Sequence, residues 1–281
     1  MKIFLTGSSG YVGSSLNSKL NFLGYNVIPV NHKLFLDSEG RFLHKFFSEN
    51  SFENNSIVIH VASSGVLATN TLEHDIKSNV IGTNNLLNEA FNFGIRKFIV
   101  IGTSFEYGLS GNFENTLSIN ADLRPVDNYS LSKVFQYQLC QSLADKLSLD
   151  MSYLRPFQIY GGAENENRLF PSLVSAIKNN KNFEISVGSQ VRDFVHINVL
   201  SDFIVDEINL LSGFQILNVA SGIGTSVKDF VEFYWKKYDA TSSLELGKLD
   251  QKQPLLKRLV GEPSINKNRR KIDPFYMYSH I

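Results

Sequence analysis

Short apolar runs punctuate the chain, and between them apolar residues recur at helical spacing. Residues 3–5, 25–30, 56–62, 97–101, 151–154 and 216–220 read as strands, several rich in β-branched side chains and apolar enough to be buried on both faces. Residues 34–37 read as a further, brief strand. Residues 12–23, 41–47, 72–93, 129–146, 168–178, 202–211 and 227–238 carry their apolar positions three and four apart, the mark of helices with one buried face. The alternation predicts an α/β fold. There is no internal repeat and no low-complexity linker, so any two lobes should be interleaved.

The first strand runs directly into Gly7, Gly10 and Gly13, and these into the first helix. Strand, glycine turn and helix in this order make a site for a dinucleotide phosphate. The early glycine permits a tight turn, the middle one a close approach to pyrophosphate, and the last close helix–strand packing. The helix N-terminus supplies free N–H groups and partial positive charge. Ser9, Tyr11 and Val12 belong to the same turn. After the second strand comes Asn31-His32-Lys33, where an acid would select the free ribose hydroxyls of NAD and a cation would accept the 2′-phosphate of NADP. No acid is present, which favours NADP(H) and leaves NAD(H) possible. Asp37 is expected near the adenine, and Val61, Ala62 and Ser63 at the carboxyl end of their strand beside the cofactor.

Composition narrows the partners. The 281 residues are 43% hydrophobic and 19% charged, enough for one large domain with an added lobe or for two small domains. Lys+Arg and Asp+Glu both number 27, so no overall field attracts nucleic acid or an anionic membrane. No apolar run is long enough to span a bilayer, and the N-terminus reads as strand rather than secretion signal. The single cysteine, Cys140, lies among helical apolar residues and reads as a buried hydrophobe. A lone cysteine excludes an internal disulfide and fits a cytoplasmic setting.

Tyr129 and Lys133 share one face of a helix. A nearby ammonium favours the phenolate and is expected to bring the tyrosine towards neutrality, where it can exchange a proton with an alcohol or carbonyl oxygen. The hydroxyl of Thr103, at a strand's carboxyl end, can hold the same oxygen. His60 lies within a buried strand and reads as a satisfied core histidine.

The motifs TGSSGYVG at the start, NVIGTNNL at 79–86, GTSFEYG at 102–108 and YSLSK at 129–133 together resemble an extended short-chain dehydrogenase/reductase. LRPFQIYG at 154–161, VRDFVHINVLSDF at 191–203 and ILNVASG at 216–222 extend the resemblance to the sugar-nucleotide epimerase/dehydratase/reductase branch. The resemblance implies a Rossmann-type doubly wound parallel sheet over about 1–160. A smaller α/β substrate lobe would occupy 161–281, with the segment near 190–225 returning to the first. It implies Thr103, Tyr129 and Lys133 as catalytic residues and Asn79 as support for the active-site helix. Pro156, Phe157 and Ile159 would lie against the nicotinamide. For the substrate, a nucleoside-diphosphate sugar, it implies contacts from Ser104, Phe105, Gln158, Arg168, Leu169 and Arg258, with Arg192 on the diphosphate. Asp193 and His196 read as structural supports rather than metal ligands. A homodimer through helices near 72–93 and 129–147 is implied by the same resemblance.

Departures from the family pattern select the reaction. The 4,6-dehydratases carry two acids after the catalytic threonine, where this chain has Ser104 and Phe105. The fucose-type epimerase/reductases carry a cysteine where Phe105 stands. What remains needs only hydride transfer and one proton. That describes reduction of a 4-keto-6-deoxysugar nucleotide, with Tyr129 as general acid, or alternatively an NAD-dependent 4-epimerisation. A non-catalytic NADP-binding regulator is the third reading, weakened because Thr103, Tyr129 and Lys133 are all kept. The aromatic C-terminal stretch, 273–281, is expected to pack against the body.

Overall fold

The computed structural model describes residues 1–36, 41–50, 52–53, 55–64, 70–249, 256–264 and 272–275. Its strands in chain order are β1 (Lys2–Thr6), β2 (Asn26–Val30), β3 (Ile57–His60), β4 (Lys97–Ile101), β5 (Asp150–Pro156), β6 (Gln158–Tyr160), β7 (Phe183–Ile185), β8 (Val191–Arg192), β9 (Phe194–His196), β10 (Phe214–Val219), β11 (Thr225–Ser226), β12 (Leu244–Leu246) and β13 (Arg258–Leu259). The helices are α1 (Tyr11–Phe22), α2 (His32–Phe35), α3 (Arg41–Glu49), α4 (Leu72–Ile76), α5 (Gly82–Asn92), α6 (Asn128–Leu147), α7 (Leu169–Lys178), α8 (Ile197–Ile208) and α9 (Val227–Lys237).

Six strands form one parallel sheet in the order β10-β5-β4-β3-β1-β2, flanked by helices. Successive residues face opposite ways, which explains the continuous apolar runs. Ile3 and Leu5 pack with α1 and α8 on one face, while Phe4 packs with α3 and α5 on the other. Leu16 and Leu20, one helical turn apart on α1, are fully buried there. Each contributes about 1.5–3 kcal/mol relative to an exposed side chain. β1 has β2 on one side and β3 on the other, so the chain reverses its winding beside the end of β1. Such a reversal opens a crevice at the carboxyl edge, where ligands of open α/β sheets sit.

The remaining strands form a three-stranded β11-β8-β13 sheet and two pairs, β12-β7 and β6-β9. An aromatic cluster holds this region, with the rings of Phe194 and Phe230 stacked 3.8 Å apart. Phe275 joins it, 4.2 Å from Phe233 between centroids, and Tyr160 Oη donates to the Pro274 carbonyl at 3.0 Å. Residues 276–281 of the aromatic C-terminal stretch lie outside the described residues.

Three elements differ from the sequence expectations. In place of the brief strand expected over 34–37, residues 32–35 are helical, because the Asn31 side chain accepts from Lys33 N at 3.0 Å and starts a turn; residue 37 lies outside the described residues. The long helix expected over 72–93 is interrupted by a π-helical segment, Lys77–Ile81. Helix α8 begins at Ile197 rather than near 202, because His196 caps it: its Nδ1 accepts from Asn198 N at 3.2 Å. Among the described residues no helix is long and apolar enough to cross a membrane.

Candidate active site

The glycine turn is built as the spacing requires. Gly7 has a φ of +68°, and a Cβ there would lie 2.8 Å from Ala62 N. A Cβ on Gly13 would fall 1.9 Å from the Gly7 carbonyl oxygen, so both positions exclude a side chain. Gly10 precedes α1 with no side-chain cap, and the first turn of α1 carries no acid. A helix N-terminus with no side-chain cap and no acid beside it suits an anion such as a pyrophosphate. The turn borders a cavity of about 1090 Å³ that runs along the carboxyl edge of the sheet.

Thr103, Tyr129 and Lys133 all line this cavity. Thr103 follows β4, where its backbone N–H donates to Glu106 Oε1 at 2.9 Å and its side chain accepts from Phe105 N at 3.3 Å. Tyr129 and Lys133 come from the start of α6, which Asp127 caps by accepting from Ser130 N at 2.7 Å. The Tyr129 hydroxyl shares the cavity with the side chains of Thr103 and Ser63. Its pKa is not lowered as the helical spacing suggested. Burial pushes it up, Thr103 pulls it back in part, and Glu106 pushes it up again. The Lys133 ammonium is turned instead to the Ile101 carbonyl, 2.8 Å, and to Gln136 Oε1, 2.6 Å. Burial lowers its own pKa to about 8, against the pull of Glu106.

Behind Thr103 lies a buried ion pair. Arg155 Nε donates to Glu106 Oε2 at 2.7 Å, and Tyr153 Oη donates to Glu106 Oε1 at 2.9 Å. Arg155 also donates to Tyr107 Oη at 3.1 Å, and Tyr107 in turn donates to Asn218 Oδ1 at 2.7 Å. Burial pushes the Glu106 carboxyl up and Arg155 pulls it back. With three donors converging on it, we take the pair as ionic. Sequence reading passed over Glu106. The signal was Arg155 inside an apolar strand, since a buried arginine requires a buried carboxylate.

The cavity gathers most of the expected residues. Gly7, Ser9, Gly10, Tyr11, Val12, Asn31, His32, Val61, Ala62 and Ser63 line one part, with Phe105, Pro156, Phe157, Gln158, Ile159 and Arg168 elsewhere along it. Others are not brought to it. Lys33 is exposed and outside the lining, and Asp37 lies outside the described residues. Asn79 stands behind, accepting from Ser64 N at 2.9 Å and donating to Ser132 Oγ at 2.9 Å, so it ties the loop after β3 to α6. Ser104 is buried, and Leu169 packs in the aromatic lobe. Arg192 is occupied by backbone, donating to the carbonyls of Val191 and Leu256 at 2.9 Å each. Arg258 donates to the Asn115 carbonyl at 2.8 Å. Lining residues that the sequence did not single out include Glu164, which accepts from Arg168 Nε at 2.9 Å, and Lys77.

His60 is a satisfied core histidine, bonded on both ring nitrogens to Thr6 and Thr83. Asp193 accepts from Ser221 N and Oγ and from Gly222 N, a structural clasp. Cys140 is buried, and its thiol is pushed far up by that burial.

A dinucleotide-type glycine turn joined to a tyrosine–lysine helix on a parallel sheet defines a dehydrogenase-like class of fold and site. The model of the NAD dependent epimerase/dehydratase family matches residues 3–208, and the chain belongs to that family. The dTDP-D-glucose 4,6-dehydratase of Dictyostelium discoideum is 27% identical over 279 residues, covering 86% of this chain and 61% of that protein. This chain thus spans under two thirds of that relative's length. The GDP-6-deoxy-D-talose 4-dehydrogenase of Aggregatibacter actinomycetemcomitans is 26% identical over 268 residues, covering 94% of this chain and 89% of that one. The UDP-glucose 4-epimerase of Thermotoga maritima, solved with UDP-glucose, shares the fold with a TM-score of 0.83 at 20% identity, over 94% of this chain and 90% of that one.

Proposed function

We propose that the protein reduces the 4-keto group of a 6-deoxysugar nucleotide, using NADPH in preference to NADH. The observation that carries this reading is that Thr103, Tyr129 and Lys133 line one cavity, with no free acid in the segment that follows Thr103. The carboxylate in residues 102–108 is Glu106, fully buried and committed to Arg155, Thr103 N and Tyr153. It is not available to remove water from a sugar. Phe105 presents an aromatic ring to the cavity instead.

The glycine turn and the first N–H groups of α1 would hold the pyrophosphate, and Pro156, Phe157 and Ile159 the nicotinamide end. The dinucleotide, when bound, supplies the hydride. Thr103 holds the sugar oxygen by hydrogen bonding, and Tyr129 Oη donates a proton to it. Burial keeps Tyr129 protonated, which is the state a proton donor requires. The Lys133 ammonium, charged below about pH 8 and held by Ile101 and Gln136, keeps its third proton for the occupant of the cavity.

The relatives agree with chemistry on nucleotide sugars at the level of class, and one of them is a 4-dehydrogenase of a GDP-6-deoxysugar. The test is fluorescence titration with NADPH and NADH, then NADPH oxidation in the presence of dTDP-, CDP- and GDP-linked 4-keto-6-deoxysugars. Stoichiometric NADPH consumption with one of these supports the reading. Retained NAD with interconversion of two sugar nucleotides, and no net cofactor turnover, replaces it with the 4-epimerase. Cofactor binding with no turnover of either kind leaves a binding protein.

A further inference from the structure

Lys133 does not stand alone beneath the cavity. We infer that Gln136 is a positioning residue for Lys133, the near end of a buried hydrogen-bond relay that runs to Thr6 at the mouth of the glycine turn. This rests on the reading that Lys133 serves the reaction.

The direction of every bond in the relay follows from its partners. Thr6 Oγ1 accepts from Val61 N and Ala62 N, both at 3.0 Å, so its own proton goes to His60 Nδ1 at 2.8 Å. His60 is therefore neutral with its proton on Nε2, and burial, aided by Lys133, holds its pKa down to about 3. That Nε2–H donates to Thr83 Oγ1 at 2.9 Å. The Thr83 proton goes to the Asn79 carbonyl at 2.6 Å, so Thr83 can also accept from Gln136 Nε2 at 2.8 Å. The amide of Gln136 is thereby oriented. Its carbonyl end must face Lys133, and Oε1 lies 2.6 Å from Nζ. The flipped amide would aim N–H groups at an ammonium.

An ammonium has three protons. Gln136 takes one and the Ile101 carbonyl another, which leaves the third for whatever occupies the cavity that Lys133 lines. Two anchors at 2.6 and 2.8 Å fix the rotation of the group, so the third proton has a set direction. The relay ends at Thr6, the residue before Gly7. Gln136 and Thr83 are both fully buried, so no water competes for these bonds.

The ionisable groups facing Lys133 come from several elements. Glu106, after β4, raises its pKa but is paired with Arg155 of β5. Cys140 and Tyr129 share α6, and His60 sits on β3. Tyr153 of β5 lies 3.5 Å from Gln136 Oε1 but gives its proton to Glu106. Asp75 of α4 accepts from Ser64 Oγ, and Lys77 of the π-helical segment is exposed.

The test reads Lys133 directly, without substrate. Protein carrying 13C at lysine Cε is titrated by NMR, and the Lys133 resonance is identified by its loss in Lys133→Met. In Gln136→Glu the added carboxylate should raise the Lys133 proton affinity by at least ~10-fold. In Gln136→Leu, loss of the acceptor should lower it by a similar ~10-fold. Opposite shifts in two folded variants, with melting temperatures above the assay temperature, are the expected result. Variants that fold and leave the Lys133 titration unmoved overturn the inference. The wild-type protein gives a second reading should either variant fail to fold. One Gln136 side-chain N–H should exchange slowly and follow the Lys133 titration, and a freely exchanging amide also overturns it. The reductase reading fails separately, if Tyr129→Phe keeps full turnover.

Discussion

Replacing Glu106 by glutamine isolates the contribution of the buried ion pair behind Thr103. The substitution keeps the shape but must put an NH2 group at one end of the side chain. At the Oε2 position it meets Arg155 Nε, now 2.7 Å from an acceptor. At the Oε1 position it meets Thr103 N and Tyr153 Oη, both donors at 2.9 Å. In either orientation Arg155, which is 1% exposed, loses its counter-charge. Removing one partner of a buried pair costs about 3–5 kcal/mol, mostly through the charge left behind. For a chain of this size that is roughly 6–20 °C in melting temperature, at about 2–4 °C per kcal/mol. Urea unfolding followed by circular dichroism measures it. Glu106→Gln combined with Arg155→Met removes both charges and should recover much of the loss, since an apolar replacement of a whole pair is often close to neutral. A single variant within ~1 kcal/mol of wild type, or a double variant no more stable than the single, would refute the assignment of an ionic pair.

Tyr129→Phe should abolish turnover while leaving NADPH affinity nearly unchanged, measured by steady-state rates and fluorescence titration on the same preparation. Gly13→Ala should weaken NADPH binding by more than ~10-fold, because its Cβ would lie 1.9 Å from the Gly7 carbonyl and the turn must open; calorimetric titration checks it. Stability should fall as pH drops below about 6.5, because unfolded His60 takes up a proton that the folded imidazole, held down to about 3, refuses. His60→Gln should flatten that slope between pH 6.5 and 4 in urea melts, with the remainder left to His196, which burial lowers to about 4. The lysine acts in the opposite range. Turnover should fall as pH rises through about 8 and Lys133 loses its proton, and between about 8 and 10.5 stability should rise, since only the unfolded chain keeps that proton. The homodimer implied by the family resemblance would cover the exposed side chains of Ile81 and Phe135, and a monomer at micromolar concentration in sedimentation would remove it.

The central sheet was legible because its strands are buried on both faces, which leaves uninterrupted apolar runs. The glycine turn was legible because two of its positions, Gly7 and Gly13, tolerate no side chain. Local capping was harder to read. Asn31 and His196 each begin a helix by accepting a single backbone N–H, and no periodicity announces that. Side-chain direction was the least legible. Arg192 and Arg258 satisfy the motif spacing yet donate to carbonyls of Leu256 and Asn115, residues far away in sequence. The expected lowering of the Tyr129 pKa failed for the same reason. Helical spacing places Lys133 on the right face, but Gln136 and Ile101 decide where its ammonium points.

At neutral pH burial leaves Tyr129 as the phenol and, with a pKa of about 8, Lys133 mostly as the ammonium. A phenol beside an ammonium is ready to give a proton and must first lose one before it can take a proton from an alcohol. On the proposed reading, reduction starts from this resting state of the side chains. A 4-epimerase must do both in alternation on one substrate, and would gain from a tyrosine already lowered by its lysine. Here the lysine is held by Gln136 and Ile101. The proposed reductase uses these groups as they stand, with Tyr129 giving its proton and Lys133 keeping the place that Gln136 and Ile101 set.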